Sequence, residues 1–468
     1  MNTSRLTALV LLGMILCVVL GVLFPIAALK ITARLLLVAY LVLEWRRMAV
    51  NARIMVGLSA VLTAASAQVL PDPMGMVVAA LDSGAFLATF FANQFFLREA
   101  ASSSPLVRRC SHFFVNQRPG RRYALLTLGS YLFGIILNLG VLSLLGIMIR
   151  QRNSLAAAGG HAEVKDARER RMVLALLRGF SVTPLASPLS VSLAVLLTAL
   201  PNLHWSTILP LGLLSGAIVL GLGWLQDQAQ APRHLRHLAP APSAPRDLPA
   251  LAAVVGLVLL VFLTALAIEA ALDVALSRAM LVSTPLVGLA WLARQYVEQG
   301  FGRAAALVRR RVVKRAVETF PAYRTEIGIL SCAGFIGSLF IALVPPQSLS
   351  GLLTAPMVPP LLLPAALMLT VILPALAGIN PIVTVTILAS ALQTASVLPI
   401  PGEVMALALI SGWSLSVNSS PLTASAMLLG QLVGKPADTI VTRWNGPFTA
   451  VTFAALAALQ AGLILLKT

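Results

Sequence analysis

Charged side chains make up only 11% of this 468-residue chain, against roughly a quarter in soluble domains. Hydrophobic residues supply 58%, and the mean hydropathy is +0.91. A chain so poor in charge cannot cover its surface with polar groups in water. The three cysteines, Cys17, Cys110 and Cys332, are odd in number and far apart, which excludes a disulfide framework and metal-ligand spacing. The five histidines (His112, His161, His204, His234 and His237) fall in loops or the central linker. Neither an H-E-x-x-H pattern nor a catalytic carboxylate pair is present, so an enzyme is not expected, and no cofactor or metal is implied. Strict apolar/polar alternation is also missing, which excludes a membrane β-barrel.

What is present is a succession of long apolar runs. They fall near 7–26, 30–45, 53–70, 74–97, 124–149, 173–200, 206–225, 249–272, 279–294, 326–345, 352–398, 403–434 and 446–467. Many approach or exceed the roughly 20 residues that carry a helix across the hydrocarbon core. The first follows Arg5 like a signal peptide but is too long for one, so it reads as a retained span. The net charge of +18 comes from basic residues between the runs, which fits the positive-inside rule and no nucleic-acid partner. By that rule 98–122 and 294–326 are cytoplasmic, as is the N-terminus. The loops around Asp72, around Pro201 and from Pro345 to Gly351 lie outside. Lys30 and Arg34 go against this scheme. GRAAALVRRRVVKR at 302–315 reads as an amphipathic helix on anionic lipid.

Run 124–149 is basic on both flanks, with Arg121 and Arg122 before it and Arg150 and Arg152 after. A re-entrant hairpin with its tip near Gly134, Asn138 and Gly140 removes the conflict. Run 352–398, with Gly378, Asn380 and Pro381 at its middle, is the counterpart, as a hairpin or as two full spans. Residues 227–249 hold five prolines and read as an extended cytoplasmic linker.

GFSVTPLASPLSVSLAVLL, from Gly179, matches GWSLSVNSSPLTASAMLLG, from Gly412, without a gap at a spacing of 233. Seven of the first eighteen positions are identical. The first copy enters from the cytoplasmic side and the second from outside, so the copies form an inverted repeat of the kind found in secondary transporters. Pro184 and Pro188 should break the first helix in mid-membrane. Such a break survives only where it is buried or lines a wet cavity. Candidate substrate ligands around the two breaks are Thr183, Ser187, Ser190, Asn418, Ser419, Ser420 and Thr423.

The predicted fold is therefore an all-α polytopic membrane protein with about 11 transmembrane helices and two re-entrant hairpins in two inverted repeats. Residues 1–28 form an extra helix. The first repeat covers 29–226 (hairpin 124–149, broken helix 173–200) and the second 250–468 (hairpin 352–398, broken helix 403–434). This layout resembles the ion transporter superfamily, and within it the divalent anion/sodium symporters. The resemblance implies an elevator mechanism on a dimeric scaffold and substrate binding at the hairpin tips. Of the Ser-Asn-Thr that family members carry at each tip, only Asn138 and Asn380 are present here. Asp82 and Asp438 are the candidates for proton coupling. No Lys or Arg falls deep in an apolar run, so helix dipoles and a co-bound cation would hold an anion. This favours Na+ over H+ as the coupling ion without excluding H+. The function expected is secondary active transport of a small organic anion across a bacterial inner membrane. A lipid or glycan-lipid carrier is the alternative.

Overall fold

The computed structural model describes residues 3–200, 202–235, 247–343, 358–394 and 400–466, and every element among them is helical. The first half comprises α1 (Thr3–Leu23), α2 (Ala27–Glu44), α3 (Val50–Val69), α4 (Pro73–Ser103), α5 (Pro105–Val115), α6 (Pro119–Leu137), α7 (Gly140–Arg152), α8 (Ala162–Ser181), α9 (Thr183–Ala186), α10 (Val191–Ala199) and α11 (Trp205–Ala229). The second comprises α12 (Leu248–Leu272), α13 (Leu276–Arg294), α14 (Phe301–Thr319), α15 (Arg324–Leu343), α16 (Leu363–Leu376), α17 (Pro381–Thr394), α18 (Gly402–Ser419), α19 (Ala424–Val433) and α20 (Gly446–Leu465). Several starts are written locally. Proline stands in the first turn of α4, α5, α6, α12, α16 and α20, where its missing N–H costs nothing. Asp72 and Asp247 cap α4 and α12 by accepting from the amides of Gly75 and Ala250.

Eight stretches among the described residues are long and apolar enough to cross a membrane, and the protein is an all-α polytopic membrane protein. The helices α16 and α17 are not long enough. Each has 14 residues, about 21 Å of rise against a hydrocarbon core of roughly 30 Å. They form two short arms joined at 377–380, while the outer parts of run 352–398 (352–357 and 395–398) lie outside the described residues. So does most of the proline-rich linker, 236–246. Its flanks differ from the expectation, because α11 carries Asp227 as far as Ala229 and α12 already begins at Leu248. The loop from Pro345 to Gly351 is likewise outside the described residues, as is Pro201.

Helices α4 and α15 pack along each other at the centre, flanked by α3 and α13, with α1 against α2 and α4. A hydrogen bond of 2.8 Å from Ser338 Oγ to Ser83 Oγ joins them. Around this pair, each half repeats one module in which a broken helix lies on its own hairpin: α8 on α6, and α18 on α16. The repeated glycine explains the closeness. A Cβ on Gly179 would stand 2.1 Å from Thr127 O, and one on Gly412 2.9 Å from Met368 O. Any larger residue must push the hairpin arm away.

Arg34 ceases to be an anomaly in this fold, because its Nε and Nη2 each donate to one oxygen of Asp82, both at 2.7 Å. The pair is a fork-on-carboxylate contact that cancels a charge within the bundle. The basic 302–315 stretch is similarly drawn inward. Arg311 and Arg315 of α14 bind the buried Glu99 of α4, while Arg309, Arg310 and Lys314 stay exposed.

Gly179→Ala and Gly412→Ala should each lower stability by about 1–3 kcal/mol through overpacking. Gly221→Ala, where nothing lies within 4 Å, should leave stability equal or higher. Thermal unfolding in detergent distinguishes these outcomes.

Candidate functional site

The two helix breaks are built by one set of hydrogen bonds, repeated at the same spacing of 233. At Ser187 (φ −118°, ψ 126°) and Ser420 (φ −89°, ψ 122°) the chain turns extended. Each hydroxyl accepts from the amide two residues on, Leu189 N at 3.2 Å and Leu422 N at 3.2 Å. Ser190 and Thr423 then cap the next half-helix, accepting from Leu193 N at 3.2 Å and Ala426 N at 3.3 Å. The motif S-P-L-[S/T] is thus a hydroxyl-closed turn followed by an N-cap, with proline where no amide is needed.

Both prolines fall at interruptions of the helix: Pro184 stands in the first turn of the short α9, just after α8 ends at Ser181, and Pro188 sits in the extended break that follows. The carbonyl that Pro188 frees, Pro184 O, accepts from Ser192 Oγ at 2.6 Å. Pro285 inside α13 is handled similarly, since Asn93 Nδ2 donates to the freed Leu281 O at 2.7 Å. The oxygens of Ser187, Ser190, Ser420 and Thr423 therefore hold the breaks open by accepting backbone amides. Ser419 Oγ donates to Leu415 O of its own helix. Thr183 differs: its buried Oγ1 has no partner and faces Gly134 of the hairpin.

The hairpin tips meet the breaks. Asn138 ends α6 with φ 51° and ψ −135°, a conformation that normally requires glycine. Its Nδ2 donates to Gln94 Oε1 at 3.0 Å, and Gln94 Nε2 donates to Leu189 O, between Ser187 and Ser190, at 3.1 Å. In the second half Ser420 Oγ donates to Ala375 O at the end of α16, at 2.6 Å, and a Cβ on Gly378 would lie 3.2 Å from Leu422. Asn380 closes its own turn by accepting from Ile382 N. The half-helices beyond the breaks cross over, α10 packing on α17 and α19 on α7, so each hairpin touches both broken helices.

The broken helices also touch each other at equivalent residues: Ser414 Oγ donates to Ser181 O at 2.6 Å. Beside this crossing Asn445 Nδ2 donates to the backbone oxygen and to Oδ1 of Asn418, both at 3.1 Å.

Two arginines missed from sequence complete the site. Arg98 does not lie in a loop but inside α4, one turn beyond Gln94. Its Nε is 3.3 Å from where a Cβ on Gly140 would stand, at the start of α7, where Asn138 Oδ1 accepts from Leu139 N, and Nη1 donates to Tyr323 Oη at 3.2 Å. The polar pair at i and i+4 within FFANQFFLREA was the available signal. Arg178 is 2% exposed in the last turn of α8, so the expectation of no deep basic residue fails. The acidic candidates lie apart from this centre. Asp82 is twelve residues before Gln94 on α4, about 18 Å along the helix, and is taken by Arg34. Asp438 is exposed beyond the end of α19.

Ser190→Ala and Thr423→Ala should each cost about 1 kcal/mol as lost N-caps. The exchanged pair Ser190→Thr and Thr423→Ser should cost far less, as both keep a capping hydroxyl. Chemical or thermal unfolding midpoints of the purified variants measure the difference.

No protein-family model matches this sequence, and no curated protein does. Among solved structures the fold is similar to that of the YdaH transporter of Alcanivorax borkumensis, a protein described as having an unusual topology. The TM-score is 0.63 at 16% sequence identity, over 89% of this chain and 98% of that one. At that identity the similarity shows a shared fold.

Proposed function

We propose that the protein is a secondary active transporter of a small organic anion in a bacterial inner membrane, not an enzyme, driven by Na+ or H+. The observation that carries this reading is the pair of buried breaks, built alike in two copies and each in contact with both hairpins. Helix breaks of this kind lie at the substrate and ion sites of inverted-repeat carriers, where half-helix ends and freed backbone groups supply the ligands. The fold shared with a transporter supports it. So does the charge pattern of the flanking stretches, by which the two copies read as oppositely oriented in the membrane.

The substrate's anionic group is assigned to the first hairpin tip. Three features converge there: the Arg98 guanidinium, the N-terminal end of α7, and the side-chain amides of Asn138 and Gln94. A unit charge about 4 Å from a guanidinium is worth roughly 4 kcal/mol at an effective dielectric near 20. Helix N-terminal amides add to it. Thr183, with its unpartnered hydroxyl against Gly134, is the neutral ligand on the arm that leads to this tip, and Asn380 and Asn418 belong to the second copy. Short hairpins that rest on mobile broken helices, against the α4/α15 pair as a fixed scaffold, suit an elevator movement, with a second copy of the chain as the natural partner of that scaffold.

Proteoliposome uptake across a panel of carboxylates and oxyanions, driven by a Na+ or an H+ gradient, tests the reading, and failure of every gradient would refute it. Arg98→Gln should lower uptake at least tenfold, because it removes the one charge-assisted contact at the tip. Asn138→Gly fits the strained backbone better, so it should keep or raise the unfolding temperature while uptake falls. Asp82→Asn should leave the pH dependence of uptake unchanged, since Asp82 is committed to Arg34.

A further inference from the structure

Arg178 is a buried cation with no carboxylate. None of the sixteen Asp and Glu residues lies within ion-pair distance of it among the described residues. Asp227, four residues beyond Gly223 on α11, is instead held through both oxygens by Arg171 at 2.7 and 2.6 Å. The guanidinium of Arg178 lies in a cage of neutral, electron-rich groups. Nε donates to Asn445 Oδ1 at 2.8 Å, and Nη1 to Tyr123 Oη at 3.0 Å and Gly223 O at 3.4 Å. The Phe448 ring lies 4.1 Å from its central carbon, and Nη2 has no partner.

A charge buried this way is strongly unfavourable unless something nearby offsets it. Neutral acceptors do so here: Asn445 Oδ1, Tyr123 Oη, Gly223 O and the face of Phe448. Arg178 occupies the last turn of α8, whose C-terminus carries about half a negative charge, and Asn445, which it holds, donates to Asn418 O in the last turn of α18. The same two ends touch where Ser414 donates to Ser181 O. The second copy has no such cation. Position 411, the partner of 178, is a serine that accepts from Gln460 at 3.0 Å, a neutral solution to the same packing problem.

We propose that Arg178 is a tethered cation that occupies the crossing of the two broken helices, where an inverted-repeat carrier otherwise holds a mobile coupling ion against helix C-termini. The electrostatic clamp stands on the geometry alone, while its bearing on ion coupling rests on the function proposed above. The consequence is that this crossing needs no dissolved cation. Any coupling ion acts elsewhere in the site, and removal of the guanidinium opens a cation cage made of Asn445, Tyr123, Gly223 and Phe448.

The test is thermal unfolding of the purified full-length protein in detergent, with Arg178→Ala compared with the parent. The variant should unfold several degrees lower, and low-millimolar guanidinium chloride should raise its midpoint in a saturable way while leaving the parent's unchanged. Urea, the neutral analogue of the same shape, should not. Equal rescue by urea, no rescue by guanidinium, or an Arg178→Gln protein as stable as the parent would each overturn the proposal. Should Arg178→Ala fail to fold, Arg178→Lys must exceed Arg178→Gln in stability, and equality of the two overturns it. In proteoliposomes, uptake by Arg178→Ala should acquire a dependence on added guanidinium. Guanidinium rescue of stability without uptake of any substrate would refute the transport function and leave the clamp intact, whereas uptake without that rescue would do the reverse.

Discussion

A helix broken inside a bilayer releases amides and carbonyls that no solvent can satisfy, and the fold of this protein is organised around that constraint. Many of the freed groups have a specific partner. Ser187 and Ser420 take the amides after the turn, Ser190 and Thr423 cap the second half-helices, and Ser192 answers the carbonyl that Pro188 abandons. Gln94 reaches Leu189 O, and Asn445 reaches Asn418 O. Remove this set and the breaks would have to close into continuous helix or admit water.

The same constraint governs charge. Buried or half-buried ions are paired across elements that must stay in register: Arg34 with Asp82, Arg171 with Asp227, and Glu99 with Arg311 and Arg315. Glu44, 1% exposed, receives Thr7 Oγ1 at 2.6 Å and lies 3.4 Å from Arg324. These contacts tie α2 to α4, α8 to α11, and α14 to α4, so each ion pair also pins a helix. Arg98 and Arg178 stand outside this pattern, as do Arg53, Arg122 and Glu326. The place of Arg98 at the hairpin tip and of Arg178 at the helix crossing is what makes those two functional candidates.

The two halves share a backbone plan and differ in chemistry. The first tip puts Asn138 itself at positive φ, whereas the second places that conformation on Gly378 and leaves Asn380 in a relaxed turn. The first broken helix carries a guanidinium where the second carries Ser411. On the function proposed above, a symmetrical frame with one charged and one neutral copy would give an anionic substrate a single preferred end to bind.

The sequence alone determined the class of fold and the positions of the breaks. Long apolar runs can only be satisfied as membrane helices, and S-P-L-[S/T] sets a turn and an N-cap by contacts within six residues. The hairpin turns at Asn138 and near Gly378 were legible for the same local reason. Tertiary structure decided what those residues do. The hydroxyls of Ser187, Ser190, Ser420 and Thr423, read as ligands, are engaged by neighbouring amides, and Asp82 is claimed by an arginine 48 positions away. Arg98 and Arg178 were hidden because each lies at the margin of an apolar run, where sequence reads a cytoplasmic flank. Only the packing of α4 against the first hairpin, and of α8 against α11 and Asn445, turns those flanks inward.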